Sequence, residues 1–149
     1  MIELTLPYPI SANRYWRSFL PRGARRPVVT LSEAAHAYKA GVALLVIQAG
    51  VLHPIPGRVA VEIELYPHRP NDWERRAKKE PDSWDDGVMC LDLDNANKVL
   101  FDALKGLTFE DDKWVREIHA RRMEPDGVGR VVIRITELAH YRSDDGRGS

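Results

Sequence analysis

Residues 58–66, RVAVEIELY, alternate without a break. Val59, Val61, Ile63 and Leu65 fall on one side of an extended chain, and Glu62 and Glu64 on the other. A run of this kind buries one face and wets the other, so it must be a strand of a sheet covered on one side. GRVVIRITEL at 129–138 repeats the pattern, and IELTL at 2–6 repeats it in shorter form, ended by Pro7 and Pro9. KWVREIHARRM at 113–123 alternates more loosely. Asp126-Gly127, between this run and 129–138, is a hairpin signal and predicts that the two pair.

Helical spacing separates these strands. TLSE at 30–33 is a capping-box pattern, with Thr30 as the cap and Glu33 reaching back to it. The helix that follows is expected to run to about Ala49 and stop at Gly50, with Tyr38, Val42, Leu45 and Ala49 on one face. A second helix is expected over about 95–105, ended by Gly106. SANRYWRSFLPRGARRP at 11–27 has no clean period and reads as a loop. Residues 67–90, polar and holding three prolines, read as a long loop of low order, a kind that is often functional. The order is strand, helix, strand, long loop, helix, strand, strand. It predicts an α+β fold, a mixed four-stranded sheet with two main helices. With 149 residues, 44% of them hydrophobic, the chain suits one domain with a real core, placed at 1–140, and a disordered tail at 141–149.

Formal net charge is zero, so any case for nucleic acid must rest on local charge. The single cysteine, Cys90, excludes an intrachain disulfide and fits a reducing cytoplasm. The N-terminus does not read as a signal peptide, and no apolar run approaches the ~20 residues of a membrane span. The expectation is a cytoplasmic protein with no membrane association.

The chemistry concentrates in LDLDNANKVLFDALKG at 91–106. Asp92 and Asp94 lie two apart at the mouth of the second helix, and on an extended segment both side chains would share a face. Two carboxylates that close repel each other unless a positive charge stands between them. One reading is structural: Asp94 caps the helix and pairs with Lys98 at i+4, while the helix N-terminus favours negative charge by about 0.3–1 kcal/mol. The other is a cation site, and Glu110-Asp111-Asp112 brings it into play. A ten-residue helix is ~15 Å long, and the six residues from Gly106 to Asp111 span up to ~20 Å, so the chain is long enough to return an aspartate to the helix mouth. Three converging carboxylates make a hard-oxygen site suited to Mg²⁺, or to Mn²⁺ in its place. Such a site polarises a phosphoryl oxygen and activates water, and Lys98, one turn into the helix, stands where it could hold the scissile phosphate.

The segment 11–27 carries Arg14, Arg17, Arg22, Arg25 and Arg26 and no acid. It is either an ordinary solvated loop or, with Tyr15 and Trp16 interleaved, a surface that tracks phosphates and stacks on bases. His119, alone on a strand, and Cys90, with no histidine at a useful spacing, receive no role.

LDLDNANKVLFDALKGLTFEDDKWV at 91–115 resembles the signature of the RusA family of Holliday junction resolvases: Asp-Leu-Asp-Asn, a lysine three residues after the asparagine, Asp-Ala-Leu, and an acidic pair opening a strand. LPYPISANRYWR at 6–17 resembles that family's opening. Two features depart from it. Leu91 stands where the family often has a basic residue, and the 67–90 segment is longer. The resemblance implies a homodimeric, Mg²⁺-dependent endonuclease that makes paired symmetric nicks in four-way DNA junctions during recombination and repair. Residue by residue, it implies Asp92, Asp94 and Asp112 as metal ligands and Lys98 as the catalytic lysine. It favours the DNA-binding reading of Asn13, Arg14, Tyr15 and Arg17, and gives Asn95 a role in orienting the site or touching DNA. Asp102 also lies in the pattern and is expected to make an ion pair with Lys98 or a buried structural contact. A metal nuclease for forks or flaps, and a junction-binding protein without catalysis, are the competing readings.

Overall fold

The strand expected from residues 58–66 is the spine of the sheet. In the computed structural model, which describes residues 1–139, β4 (Val59–Tyr66) buries Val59, Val61, Ile63 and Leu65 to 1% exposure or less. It pairs antiparallel with β6 (Arg130–Glu137) and parallel with β5 (Val115–Arg122). β1 (Ile2–Pro7) closes the far edge against β6, giving the order β1-β6-β4-β5. The mixed four-stranded sheet of an α+β domain is therefore present. The tail expected to be disordered lies outside the described residues.

The hairpin expected at Asp126-Gly127 is absent, because β4 lies between β5 and β6. β6 carries three fully buried residues, Val131, Ile133 and Ile135, and takes a central place. β5 is largely exposed on both faces and takes an edge. The Asp-Gly turn instead closes on its own surroundings. The Arg130 guanidinium donates to Asp126 at 2.7 Å, and the Gly127 carbonyl accepts from Arg69 N at 2.8 Å.

Residues 11–27 are not a plain loop. α1 (Ala12–Tyr15) leads into β2 (Trp16–Phe19), which pairs with β3 (Val28–Leu31) in a separate two-stranded ribbon. Most of the ribbon is exposed on both faces, so no alternation marks it in the sequence. Thr30 belongs to β3, opposite Arg17, and the cap of α2 (Glu33–Gln48) is Ser32, two residues later than expected. Ser32 Oγ accepts from Ala35 N at 3.1 Å and donates to the Arg14 carbonyl at 2.6 Å. The buried face of α2 is Ala35, Val42 and Val46, while Ala49 is exposed.

Residues 67–90 are also more ordered than expected. They hold α3 (Trp73–Lys79) and a buried Trp84, whose Nε1 donates to Glu124 at 2.6 Å. Asp72 takes Arg75 and Arg76, each at 2.9 Å, which holds the first turns of α3 together. Hydrogen bonds, a pair of tryptophans and a buried Val88 hold this segment, so no hydrophobic period announces it. α4 (Leu93–Leu104) buries Ala96, Val99, Leu100, Ala103 and Leu104, packs on α2 and crosses the sheet between β4 and β5 in chain order.

Candidate active site

Asp92 is the N-cap of α4. Its backbone is extended (φ −63°, ψ 146°), and its side chain makes no capping bond. The chain is already helical at Leu93, so Asp94 lies inside the first turn and the two aspartates do not share the face of an extended segment. Asp92, Asp94 and Lys98 are all exposed. Among the described residues Asp94 and Lys98 do not pair, and neither aspartate meets a cation. The structural reading needed Asp94 as a cap and as Lys98's partner, and it is neither. Two free carboxylates and a free ammonium stand at one helix mouth.

Tyr8 holds that mouth in place. Its hydroxyl oxygen accepts from Leu91 N at 2.7 Å, one residue ahead of Asp92. Burial pushes its phenol up to about 12, so it stays neutral at physiological pH. The only sequence signal was an aromatic residue between Pro7 and Pro9 at the end of a strand.

The arginine ribbon is tied to the same helix. Asn95 Oδ1 accepts from Ala12 N at 2.7 Å, and the Tyr15 hydroxyl donates to Asp102 Oδ2 at 2.7 Å. Tyr15 is fully buried, edge-on to Trp16, and burial followed by the Asp102 hydrogen bond drives its phenol far above the usual range. A buried ring has no face for a base, so the stacking role expected of Tyr15 is corrected to anchoring. Asp102 likewise pairs with Lys39 at 3.6 Å rather than with Lys98. The Asn95 oxygen is committed to α1. Asn13, Arg14 and Arg17 remain exposed, with Arg17 lying over the Phe19 ring. Tyr15→Phe is expected to cost about 1–2 kcal/mol of stability, because Asp102 loses its donor. Urea unfolding checks this, and DNA affinity at a temperature where the variant is folded should be unchanged.

Asp112 lies elsewhere. β5 starts at Val115, level with the first residue of β4, and finishes at Arg122, level with Leu65. The mouth of α4 lies at the finishing end: Leu91 hangs on Tyr8, next to Pro7, and Arg122 donates to the Val88 carbonyl at 2.9 Å. Glu110 lies at the starting end, with its carboxylate 3.4 Å from Gly57 N. An eight-residue strand spans roughly 25 Å, and the twelve residues of α4 about 18 Å. The expected return of an aspartate to the helix mouth therefore does not occur within the chain. The reason is topological. β4 and β5 are parallel with α4 as the crossover, so β5 must restart at the end where β4 starts. Among the described residues no group of three or more His, Cys, Asp or Glu side chains could hold a metal ion. The donor chemistry at α4 suits a hard cation, but among the described residues one chain brings no third carboxylate to Asp92 and Asp94. Asp111 Oδ1 accepts from Asp112 N at 2.8 Å and caps the 3-10 turn Asp112–Trp114, which leaves Asp112 as the free member of the acidic pair.

The family model Endodeoxyribonuclease RusA matches residues 7–136. The chain is 30% identical over 139 residues to the crossover junction endodeoxyribonuclease rusA of Enterobacteria phage 82, covering 93% of this chain and 96% of that protein. The same identity and coverage hold for the crossover junction endodeoxyribonuclease RusA of Escherichia coli (strain K12) and for that of Shigella sonnei.

Proposed function

The chain belongs to the endodeoxyribonuclease RusA family, and from that premise we propose that it resolves four-way DNA junctions as a divalent-metal-dependent homodimer. The observation that carries this reading is the mouth of α4. Asp92, Asp94 and Lys98 stand there exposed and unpaired among the described residues, on the helix to which the arginine ribbon is tied. Carboxylates left free at that place favour a hard cation, Mg²⁺ or Mn²⁺, which when bound would polarise the phosphoryl oxygen. Lys98, one turn further on, would stabilise charge on the leaving oxygen. Arg14 and Arg17 lie exposed on α1 and β2 to take the flanking phosphates.

The substrate supports a dimer. A four-way junction is nearly two-fold symmetric, and resolving it takes two nicks at symmetric places. Two-fold dimers are the commonest assembly, and a net charge of zero lets the chains dock without strong repulsion. The separation of Asp112 from Asp92 and Asp94 favours a dimer too. A two-fold partner that lays its Asp112 against this chain's α4 would complete a three-carboxylate site, and symmetry would complete the other.

The test is one gel with labelled four-way, forked and linear DNA, each with Mg²⁺ and with EDTA. Cleavage of the four-way junction alone, and only with metal, is the expected result. Cleavage of forks or flaps in preference would move the substrate within branched DNA. The absence of a three-donor group among the described residues of the single chain favours one other reading, a junction-binding protein without catalysis, which would show binding and no cleavage. Replacing Arg14, Arg17 and Arg22 with Ala should weaken junction binding and reduce the slope of log affinity against log salt by roughly one for each phosphate no longer neutralised. An unchanged slope would leave these arginines as ordinary solvated residues.

A further inference from the structure

Immediately upstream of Asp92 the chain walls a cavity of about 780 Å³. Val88, Met89, Cys90, Leu91, Tyr8 and Pro70 are among the residues that line it. Hydrogen bonds fix this lining. Leu91 N is bonded to the Tyr8 hydroxyl, and the Val88 carbonyl to Arg122. Gly129 lines it too, and it is glycine for a reason. A Cβ there would lie 3.2 Å from His68 N, closer than ordinary contact, and would touch the Tyr8 ring at 3.4 Å. Arg76 is the one Lys or Arg that lines the cavity among the described residues, and Asp72 already holds it at 2.9 Å. The space is therefore poorly suited to a phosphate and well suited to a flat, uncharged heterocycle. A tyrosine ring and a methionine thioether are what such a ring packs against. Met89 stands at the cavity with 92% of its surface in solvent.

We propose that this cavity receives one unpaired nucleobase of the strand being cut, from a nucleotide flanking the scissile phosphate. The inference rests on the junction-cleaving reading and deepens it. A phosphate engaged at Asp92 carries its bases within a few ångströms, and Leu91, one residue away, is cavity wall. Bases at a branch point are less firmly stacked than in duplex, so extruding one costs less than flipping a base out of an intact duplex. A base seated here would fix which phosphate meets the acidic pair, and so the register of the nick.

Cys90, the chain's one cysteine, reports on the cavity directly. The full-length protein is treated with iodoacetamide in EDTA, so that nothing is cut. It is compared free, bound to an intact four-way junction, and bound to junctions with an abasic site on either flank of the mapped scissile phosphate. Binding is followed by gel shift on the same samples. The intact junction is expected to slow alkylation at least about tenfold, and one of the abasic junctions, equally bound, to restore the free rate to within about twofold. Equal protection by every bound junction would mean that backbone or a second chain covers the cavity, and would overturn the proposal. A bound junction that gives no protection, or a Cys90 already closed off in the free protein, would overturn it as well. Failure to bind any junction would instead overturn the junction reading, and the base site with it.

Discussion

Asp94→Asn is expected to abolish junction cleavage and leave junction binding intact. The substitution keeps the side chain's shape and removes its charge. Asp94 is exposed and makes no ion pair among the described residues, so folding has little to lose beyond the helix-end stabilisation of about 0.3–1 kcal/mol. Catalysis has much more to lose. A bound cation stabilises transition-state charge by several kcal/mol, and each 1.36 kcal/mol is tenfold in rate, so single-turnover cleavage in Mg²⁺ should fall by at least about 10³-fold. Binding measured in EDTA should hold or tighten, because one negative charge facing the phosphates has gone. A variant that cuts near the wild-type rate would show that the acidic cluster at α4 is not the active site.

A loss of similar size is expected for Asp112→Asn and not for Asp111→Asn. Asp111 already has a structural task, accepting from Asp112 N at 2.8 Å as the cap of the 3-10 turn. Asparagine caps about as well as aspartate, so Asp111→Asn should keep most activity and cost a few tenths of a kcal/mol at most. Asp112 is exposed, and its carboxylate is not used by the turn. Cleavage rates of the two variants, read beside their urea midpoints, separate a capping role from a chemical one. If Asp111→Asn is the dead variant, the third carboxylate belongs to Asp111 and the register of the acidic pair shifts by one residue.

How much of this was legible in the sequence depended on what each element buries. β4 and β6 bury every second residue, and their alternation named both strands and their inward faces. α4 has a clean apolar stripe and a glycine just past its end, and its expected bounds fall within two residues of the observed ones. The ribbon at β2 and β3 and the helix α3 bury little in the sheet's core, so periodicity was silent on both. The Asp126-Gly127 signal was local and could not report that β4 would take the place beside β6. The same limit applied to the site. Asp92, Asp94 and Lys98 lie within seven residues of one helix start, so sequence spacing alone set them along one element. Asp112 was placed by chain length alone, which bounds how far a segment can reach and says nothing of its direction. Parallel pairing of β4 with β5 decided the direction and sent Asp112 to the other end of the sheet.

In the proposed dimer two chains make each cutting site, and mixed dimers separate this arrangement from a site built within one chain. Asp94→Asn and Asp112→Asn, each inactive alone, are combined, allowed to exchange subunits, and shown by native mass spectrometry to form the mixed dimer. If the site takes Asp92 and Asp94 from one chain and Asp112 from the other, one of the two sites in that dimer is wild type and the other lacks two carboxylates. The mixture should then regain cleavage in Mg²⁺, and its product should be a singly nicked junction instead of two linear duplexes. If each site is built within one chain, every site in the mixed dimer is damaged, and a mixture as inactive as its parents would rule out a site shared between chains.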